Sequence, residues 1–183
     1  MIDNHITSLG YDVELTDDVE TVRPLIEAVG LDIVQDNGGG WAPSTYLAAA
    51  TRAGGNAACV GWSTNGELAV LHSLAVAPAM RGSGLGAGVL AAAIGHLMDT
   101  SPVEKIGLAT ESHSAKYLFR SIGFTPCDPS EMPDPMHEHP SIKRLGDAGM
   151  LMMRDYTQPK RGLDKAAFAL ILNETPNATL PLG

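Results

Sequence analysis

One stretch, from Leu74 to Leu90, constrains the fold of this chain more than any other. It is typical of a buried strand, then a glycine-rich turn that contains Arg81, then the start of an apolar helix. Backbone amides at a helix N-terminus lack intrahelical acceptors, and the helix dipole adds partial positive charge there. Glycines let an anion approach the backbone, and arginine can add a charged contact. The stretch therefore predicts an anion site between strand and helix.

Composition narrows the class of protein. The chain has 183 residues, of which 44% are hydrophobic, as expected for one globular domain. A net charge of −9 with 12 Lys and Arg argues against non-specific binding of nucleic acid and favours a cationic partner. Two cysteines form no disulfide framework, which suits the reducing cytoplasm. We expect no signal peptide and no membrane-spanning segment.

Alternation and turn signals predict an ordered series of strands and helices. Alternation predicts a first strand over Tyr11–Thr16, and a helix follows an N-cap at Asp17 or Asp18 and ends at Gly30. Pro24 lies inside that helix and either kinks it or marks its first turn. Strands are predicted over Tyr46–Thr51 (where the alanines also suit a helix), Ala58–Thr64 and Leu68–Val76, with a hairpin turn at Asn65-Gly66.

The second half predicts a strand–helix–strand unit and a long loop. A buried helix over Leu85–Met98 leads to a strand over Ile106–Thr110, and a second helix is capped by Ser112 or Ser114. Further strands are expected to start at Phe124 and to cover Met150–Tyr156. The polar, proline-rich segment Asp128–Asp147 predicts a loop with a short helix over Ser141–Leu145, and Lys165–Asn173 predicts an added helix.

Two patterns together carry a family resemblance. The first is Leu74-x-Val76-x-Pro78 followed by Arg81-x-x-Gly84-x-Gly86, and the second is Ser112-x-x-Ala115-x-x-Leu118 ending at Gly123-Phe124. In this order they resemble the GNAT N-acetyltransferases over roughly Tyr11–Tyr156. The stretch Leu71–Pro78, with Gly123-Phe124 and Glu131-Met132-Pro133, is similar to the small arsenic-resistance N-acetyltransferases and to the acetyltransferase domain of N-acetylglutamate synthases. Asp147–Leu151 lacks the basic Arg-x-Ser-Lys pattern of the glutamate enzymes, which counts against glutamate as the acceptor. The resemblance implies an α/β fold, with a mixed sheet of six to seven strands flanked by helices. We expect one domain over residues 1–157 and a C-terminal extension over 158–183.

The resemblance also implies acetyl-CoA as co-substrate. The pantetheine arm would run along the strand that ends at Val76, with the Val76 amide near the acetyl carbonyl, and the pyrophosphate would bind the amides of the turn. Ser112 either bonds the cofactor or only caps its helix. The predicted cofactor-binding residues are Leu74, Ala75, Val76, Arg81, Gly82, Ser83, Gly84, Leu85, Gly86, Ala87 and Ser112.

The catalytic residues depart from the family pattern. Val70 stands where many relatives carry a glutamate base, and Phe119 where many carry a tyrosine acid. His72 shares a strand face with Val70 and is our predicted base, although a hydrogen-bonded core histidine has the same pattern. Glu111 and His113 are further candidates, or solvated loop residues, and ordered water could also take the proton. His137 and His139 lack a third spaced ligand, so no metal site is predicted.

These residues predict an acetyl-CoA-dependent N-acetyltransferase that acts on the amine of a small, amino-acid-like molecule by direct attack in a ternary complex. A protein N-acetyltransferase, and a module that binds acetyl-CoA as a sensor or scaffold, are the alternatives. Trp41 is either a lid over the acceptor or packed in the core. No nucleic acid or membrane partner is expected, and the resemblance implies a homodimer.

Overall fold

A single seven-stranded mixed sheet organises the protein, whose structure is a computed structural model. It describes residues 6–7, 10–34, 38–145 and 148–157. The strands lie in the order β1-β2-β3-β4-β5-β7-β6, and only β4 and β5 are parallel neighbours. The strands are β1 Tyr11–Thr16, β2 Thr45–Thr51, β3 Asn56–Asn65, β4 Leu68–Val76, β5 Lys105–Thr110, β6 Thr125–Pro126 and β7 Met150–Asp155. The α/β fold and the strand number predicted from the sequence are confirmed.

Five helices lie on the two faces of this sheet in the described part of the chain. They are α1 Val19–Ala28, α2 Leu85–Thr100, α3 His113–Ser121, α4 Asp134–Glu138 and α5 Pro140–Lys143. Asp18 caps α1 by accepting from the Glu20 amide, and Ser112 caps α3 by accepting from the Ala115 amide. Pro24 lies within α1. The predicted helix over Lys165–Asn173 lies outside the described residues.

The first face of the sheet carries the main core. Helix α2 is buried on most sides, as its apolar sequence predicted, and packs with α3 against alternate residues of β2 to β5. Gly86 permits the closest approach, because a Cβ there would lie 3.0 Å from the Val76 side chain. This glycine therefore lets the start of α2 lie directly against the end of β4.

The second face is covered by three separate segments. Helix α1 packs on β2, β3 and the end of β4, while Trp41 and residues from α4 and α5 pack on Val70 in the middle of β4. We refer to the covering segments 31–34 with 38–44, and 127–145, as the two cover segments. Trp41 joins them, because its indole Nε1 donates to the Pro135 carbonyl at 3.1 Å, and Arg144 of the second pairs with Asp32 of the first.

The segment predicted as a loop over Asp128–Asp147 is more helical than expected, and the short helix predicted over Ser141–Leu145 is present as α5. The segment contains a 3-10 turn at Pro129–Glu131 and the helices α4 and α5, each with a proline in its first turn. Proline suits that position because the amide it lacks has no helical partner there. Met132 and Met136 then bury their side chains over Gly107 of β5.

A row of residues crosses the covered face at the level of Gly61. Tyr46 of β2 and His72 of β4 are the register partners of Gly61 on either side. Their rings meet over this glycine at 5.7 Å between centroids, in an edge-to-face arrangement. A Cβ at position 61 would lie 2.6 Å from His72 Cε1 and 2.7 Å from Tyr46 Cε1.

We predict that Gly61→Ala destabilises the fold by about 1–3 kcal/mol, because two buried rings must move to admit one methyl group. Urea denaturation monitored by circular dichroism measures the change. Ser63→Ala, at the next position on the same face of β3, is the control. A loss below about 0.5 kcal/mol would show that the two rings are free to shift.

Candidate active site

A gap in the sheet between β4 and β5 defines the candidate site. The two strands pair over Leu68–Val70 with Lys105–Gly107, although β4 continues to Val76 and β5 to Thr110. Beyond Val70 the two strands no longer pair, so among the residues that the structure describes the β4 edge from Leu71 to Val76 is left without a strand partner on this side. Backbone polar groups at such an edge need partners, which an extended ligand can supply in the manner of an added strand.

A bulge in β4 lies just beyond Val70, the last β4 residue that pairs with β5. The register shifts between Cys59, which pairs with Ala75, and Gly61, which pairs with His72. Ser73 is the extra residue and has φ of 53°, the one positive φ at a non-glycine residue in the described part of the chain. The bulge reverses the faces of the strand. Val70 and His72 face the cover segments, whereas Leu74 and Val76 pack toward α2.

The glycine-rich turn follows β4 at the open end of the gap. Gly82 and Gly84 adopt positive φ, of 78° and 83°, which suits glycine because it has no Cβ. The Gly88 amide bonds back to the Gly84 carbonyl, and the amides of the first turn before it have no acceptor within the helix. Arg81 is exposed beside them, with its Nε donating to the Val76 carbonyl at 3.4 Å. The turn therefore offers amides and one cation to an anion.

His72 lies in a polar cluster beneath the cover segments. It is 7% exposed. Its Nε2 lies 3.1 Å from Ser44 Oγ and 3.5 Å from Ser63 Oγ, and its Nδ1 lies 3.1 Å from Ser73 Oγ. Sequence reasoning missed Ser44 and Ser73 because Ser44 is 28 residues away and alternation does not reveal a bulge.

A second buried imidazole, that of His139, stacks on His72 at 5.7 Å between centroids. Its Nδ1 lies 2.7 Å from Ser141 Oγ, and its ring meets Trp41 edge-on at 5.0 Å. Burial, and to a smaller extent His139, lower the pKa of His72 to about 3, and burial lowers the pKa of His139 to about 4. Both rings are therefore neutral near pH 7, and His72 is a weak proton acceptor.

Comparison with known proteins agrees with this geometry. The family model for the acetyltransferase (GNAT) domain matches residues 43–126, which include β2 to β5, the glycine-rich turn, α2 and α3. This chain carries a GNAT acetyltransferase domain. The domain makes it an acyltransferase of the N-acetyltransferase class, with acetyl-CoA as the acyl donor.

Solved structures share the fold of this GNAT chain. An acetyltransferase of the GNAT family from Staphylococcus aureus Mu50 superposes with a TM-score of 0.60 at 15% identity, over 79% of this chain and 99% of that one. An acyl-CoA N-acyltransferase from Pseudomonas aeruginosa gives 0.56 at 17%, over 79% and 99%. N-acetylglutamate synthase from Neisseria gonorrhoeae, complexed with coenzyme A and N-acetyl-glutamate, gives 0.56 at 16%, over 79% of this chain and 35% of that one. A search of curated protein sequences finds no match.

The remaining predicted residues of the GNAT domain lie across the gap from β4. Glu111, Ser112 and His113 line a cavity of about 110 Å³ at the end of β5 and the start of α3. Glu111 and His113 are exposed, and the Ser112 hydroxyl is engaged as the cap of α3. The structure therefore places these residues in a cavity that the His72 cluster does not line.

Three other sequence interpretations are resolved by side-chain positions. Phe119 is buried against Phe124, so it occupies the core, and Tyr117 is 70% exposed. Trp41 is 8% exposed and packs with the cover segments, so of the two interpretations, a lid over the acceptor or a side chain packed in the core, the structure agrees with the second. His137 Nε2 donates to the Pro129 carbonyl at 2.8 Å, and His139 lies in the polar cluster with His72.

The described part of the chain has neither a cluster of metal ligands nor a membrane-spanning helix. Within the described ranges, no group of three or more His, Cys, Asp or Glu side chains is arranged to hold a metal ion. None of the helices in those ranges is long and apolar enough to span a bilayer.

The buried imidazoles make stability depend on pH. Both have folded-state pKa values below the 6.5 of an exposed histidine, so below pH 6.5 the unfolded chain binds more protons than the folded one. Stability is therefore expected to fall as the pH drops from about 6.5 toward 4, by about 1.4 kcal/mol per pH unit for each imidazole.

Urea denaturation at pH 7.0, 6.0 and 5.0, of the wild type and of His139→Asn, measures this slope. Asparagine retains an acceptor for the Ser141 amide but removes one titrating group. We expect its slope to be shallower by about the share of one imidazole. An unchanged slope would mean that His139 takes up its proton in the folded state.

Proposed function

We propose that this GNAT domain transfers the acetyl group of acetyl-CoA to the amine of a small, amino-acid-like molecule by direct attack in a ternary complex. The observation that carries the proposal is the gap between β4 and β5, which opens beside the glycine-rich turn. One opening thus offers strand edge to the pantetheine arm and amides with Arg81 to the pyrophosphate. The acyl group would then lie near the β4 bulge.

Support for a small acceptor comes from the cover segments. They are joined by the Trp41 and Arg144 contacts across the face that His72 occupies. A face covered in this way suits a small molecule better than the surface of a folded protein. The net charge of −9 favours an amine over an anionic acceptor. The N-acetylglutamate synthase neighbour, solved with coenzyme A and N-acetyl-glutamate, supports an amino-acid-like acceptor by analogy of fold.

Cofactor binding is proposed for the residues predicted from the sequence. Leu74, Ala75 and Val76 form the β4 edge of the gap, and residues 81–87 form the turn and first helical residues. Ser112 faces the opening from α3. The base role of His72, Glu111 or His113, the division at residue 157, the homodimer and the cytoplasmic location stay predictions.

One observation favours the alternative of a sensor that binds acetyl-CoA without turnover. Phe119 is in the core and has no proton to donate, and the low pKa of His72 makes it a weak base. A module without acid or base would keep its cofactor site and lose its catalytic step. The two functions differ in turnover, not in affinity for the cofactor.

An amine panel separates these functions. The protein is mixed with acetyl-CoA and either amino acids, alkyl amines or lysine-rich peptides, and free thiol and acetylated product are measured. We expect the highest kcat/KM with an amino acid, and initial-rate lines that intersect when both substrates are varied. Turnover of peptides alone would indicate a protein acetyltransferase, coenzyme A binding without turnover a sensor, and parallel lines a covalent acetyl-enzyme.

Arg81→Ala tests the anion site directly. Loss of a charge-assisted contact of about 1.5–3 kcal/mol should weaken coenzyme A binding ~10- to 150-fold in calorimetry. Arg120→Ala removes an equal charge from the exposed end of α3 and is the matched control. Equal affinities for the two variants would remove Arg81 from the site.

A further inference from the structure

Ser73 places a hydroxyl group at the gap through an unfavourable backbone conformation. Its φ of 53° is one that serine rarely adopts, and the bulge it forms turns β4 at the point where the gap opens. The residue is half-buried, and its Oγ lies 3.1 Å from His72 Nδ1. Strained backbone at such a point is a reason to ask what the side chain does.

The other ring nitrogen of His72 leads away from the gap. His72 Nε2 lies 3.1 Å from Ser44 Oγ, and Ser44 lines an open cavity of about 380 Å³ on the covered face. Asp17, Glu20 and Arg23 line the same cavity, and Arg23 pairs with Glu20. Ser73, His72 and Ser44 therefore form one hydrogen-bonded chain that joins the gap to an open polar cavity.

We propose that Ser73, His72 and Ser44 form a proton relay between the reacting groups in the gap and this cavity. The proposal rests on the proposed function, because it assumes that acetyl transfer takes place beside the β4 bulge. Ser73 is the catalytic residue of the relay, since its hydroxyl would touch the reacting atoms. His72 and Ser44 act through it and are positioning residues.

The proton balance closes over one turnover. When a neutral amine has attacked the thioester carbon, its nitrogen carries one proton too many. That proton passes to Ser73 Oγ, and the proton that Ser73 already carried moves to His72 Nδ1. At the same time His72 releases its Nε2 proton to Ser44 Oγ, and Ser44 releases its own proton to water in the cavity. The C–S bond then breaks, and one proton returns along the same chain to the thiolate sulfur. The imidazole ends in its starting tautomer.

The surroundings of His72 favour proton transfer through exchange between the two neutral tautomers of the imidazole over formation of a lasting imidazolium ion. His139 stacks on the ring, Tyr46 meets it edge-on, and no carboxylate lies among its hydrogen-bond partners in the described residues. Burial disfavours the imidazolium, whereas a ring that loses one proton as it gains another carries no lasting charge. The relay also supplies the proton that Phe119 cannot donate.

Single-serine variants test the relay. Ser73→Ala and Ser44→Ala should each lower kcat by about 10²-fold or more, the range for lost proton transfer, with the KM for acetyl-CoA unchanged. Ser141→Ala removes a hydroxyl that bonds His139, the imidazole stacked on His72, and so lies outside the chain; it should keep the wild-type kcat. Ser44→Thr restores a hydroxyl and should recover most of the loss. Equal losses in Ser141→Ala and Ser44→Ala would overturn the proposal.

Two further readouts are insensitive to simple loss of packing. Because loss of either hydroxyl already stops proton transfer along the chain, loss of the second should have no further effect. The kcat of the double variant Ser44→Ala/Ser73→Ala should therefore be no lower than that of the slower single variant. The wild-type kcat should fall non-linearly as D2O replaces H2O, and linearly in Ser44→Ala. Additive losses, or identical isotope curves, would contradict the relay.

The outcome for the wild type separates the two proposals. Turnover by the wild type together with full activity in Ser44→Ala and Ser73→Ala overturns the relay alone. A wild type that binds coenzyme A but acetylates no amine in the panel overturns the proposed function, and the relay with it.

Discussion

The separation of β4 from β5 is the constraint on which the rest of the structure depends. Parallel strands normally continue to exchange backbone hydrogen bonds along their shared length, and these two stop after Val70. The bulge at Ser73 makes the separation compatible with a continuous core, because it turns Leu74 and Val76 onto α2 while His72 stays on the opposite face. Strand β4 thereby contributes its unpaired edge to the gap, Leu74 and Val76 to the main core, and His72 to the polar cluster. Gly86 completes the arrangement by letting the start of α2 approach Val76.

The covered face stays uncharged although it is polar. Serine hydroxyls are the hydrogen-bond partners of His72 and His139, and a hydroxyl can exchange donor and acceptor roles with a neutral imidazole. A buried carboxylate would instead have stabilised the imidazolium. Burial therefore keeps both histidines neutral while the serines satisfy their ring nitrogens, and the aromatic rings of Tyr46 and Trp41 pack against the two imidazoles.

Local sequence signals predicted the elements well where the cause is local. The Asn65-Gly66 turn, the Asp18 cap and the alternation of β1 each depend on neighbouring residues, and each is confirmed. Helix α4 was missed, because its proline resembles a loop residue until the first-turn position is known and because Met136 is buried by a distant strand. The glycine-rich turn was visible as a motif. The partners of His72 were not, since Ser44 reaches it only through the fold and the bulge breaks the period of two.

The cover segments have a consequence for the order in which the protein assembles. Trp41 and Pro135 are 94 residues apart in the chain, and Asp32 and Arg144 are 112 apart. Contacts of such long range form late in folding because their loop-closure entropy is lost before they contribute any stability. An intermediate that has formed the β2–β3–β4 meander and α2 already has the glycine-rich turn, yet His72 is still in contact with water. The glycine-rich turn can thus form before the cover segments exclude water from His72, so the turn and the buried polar cluster arise at different stages of folding.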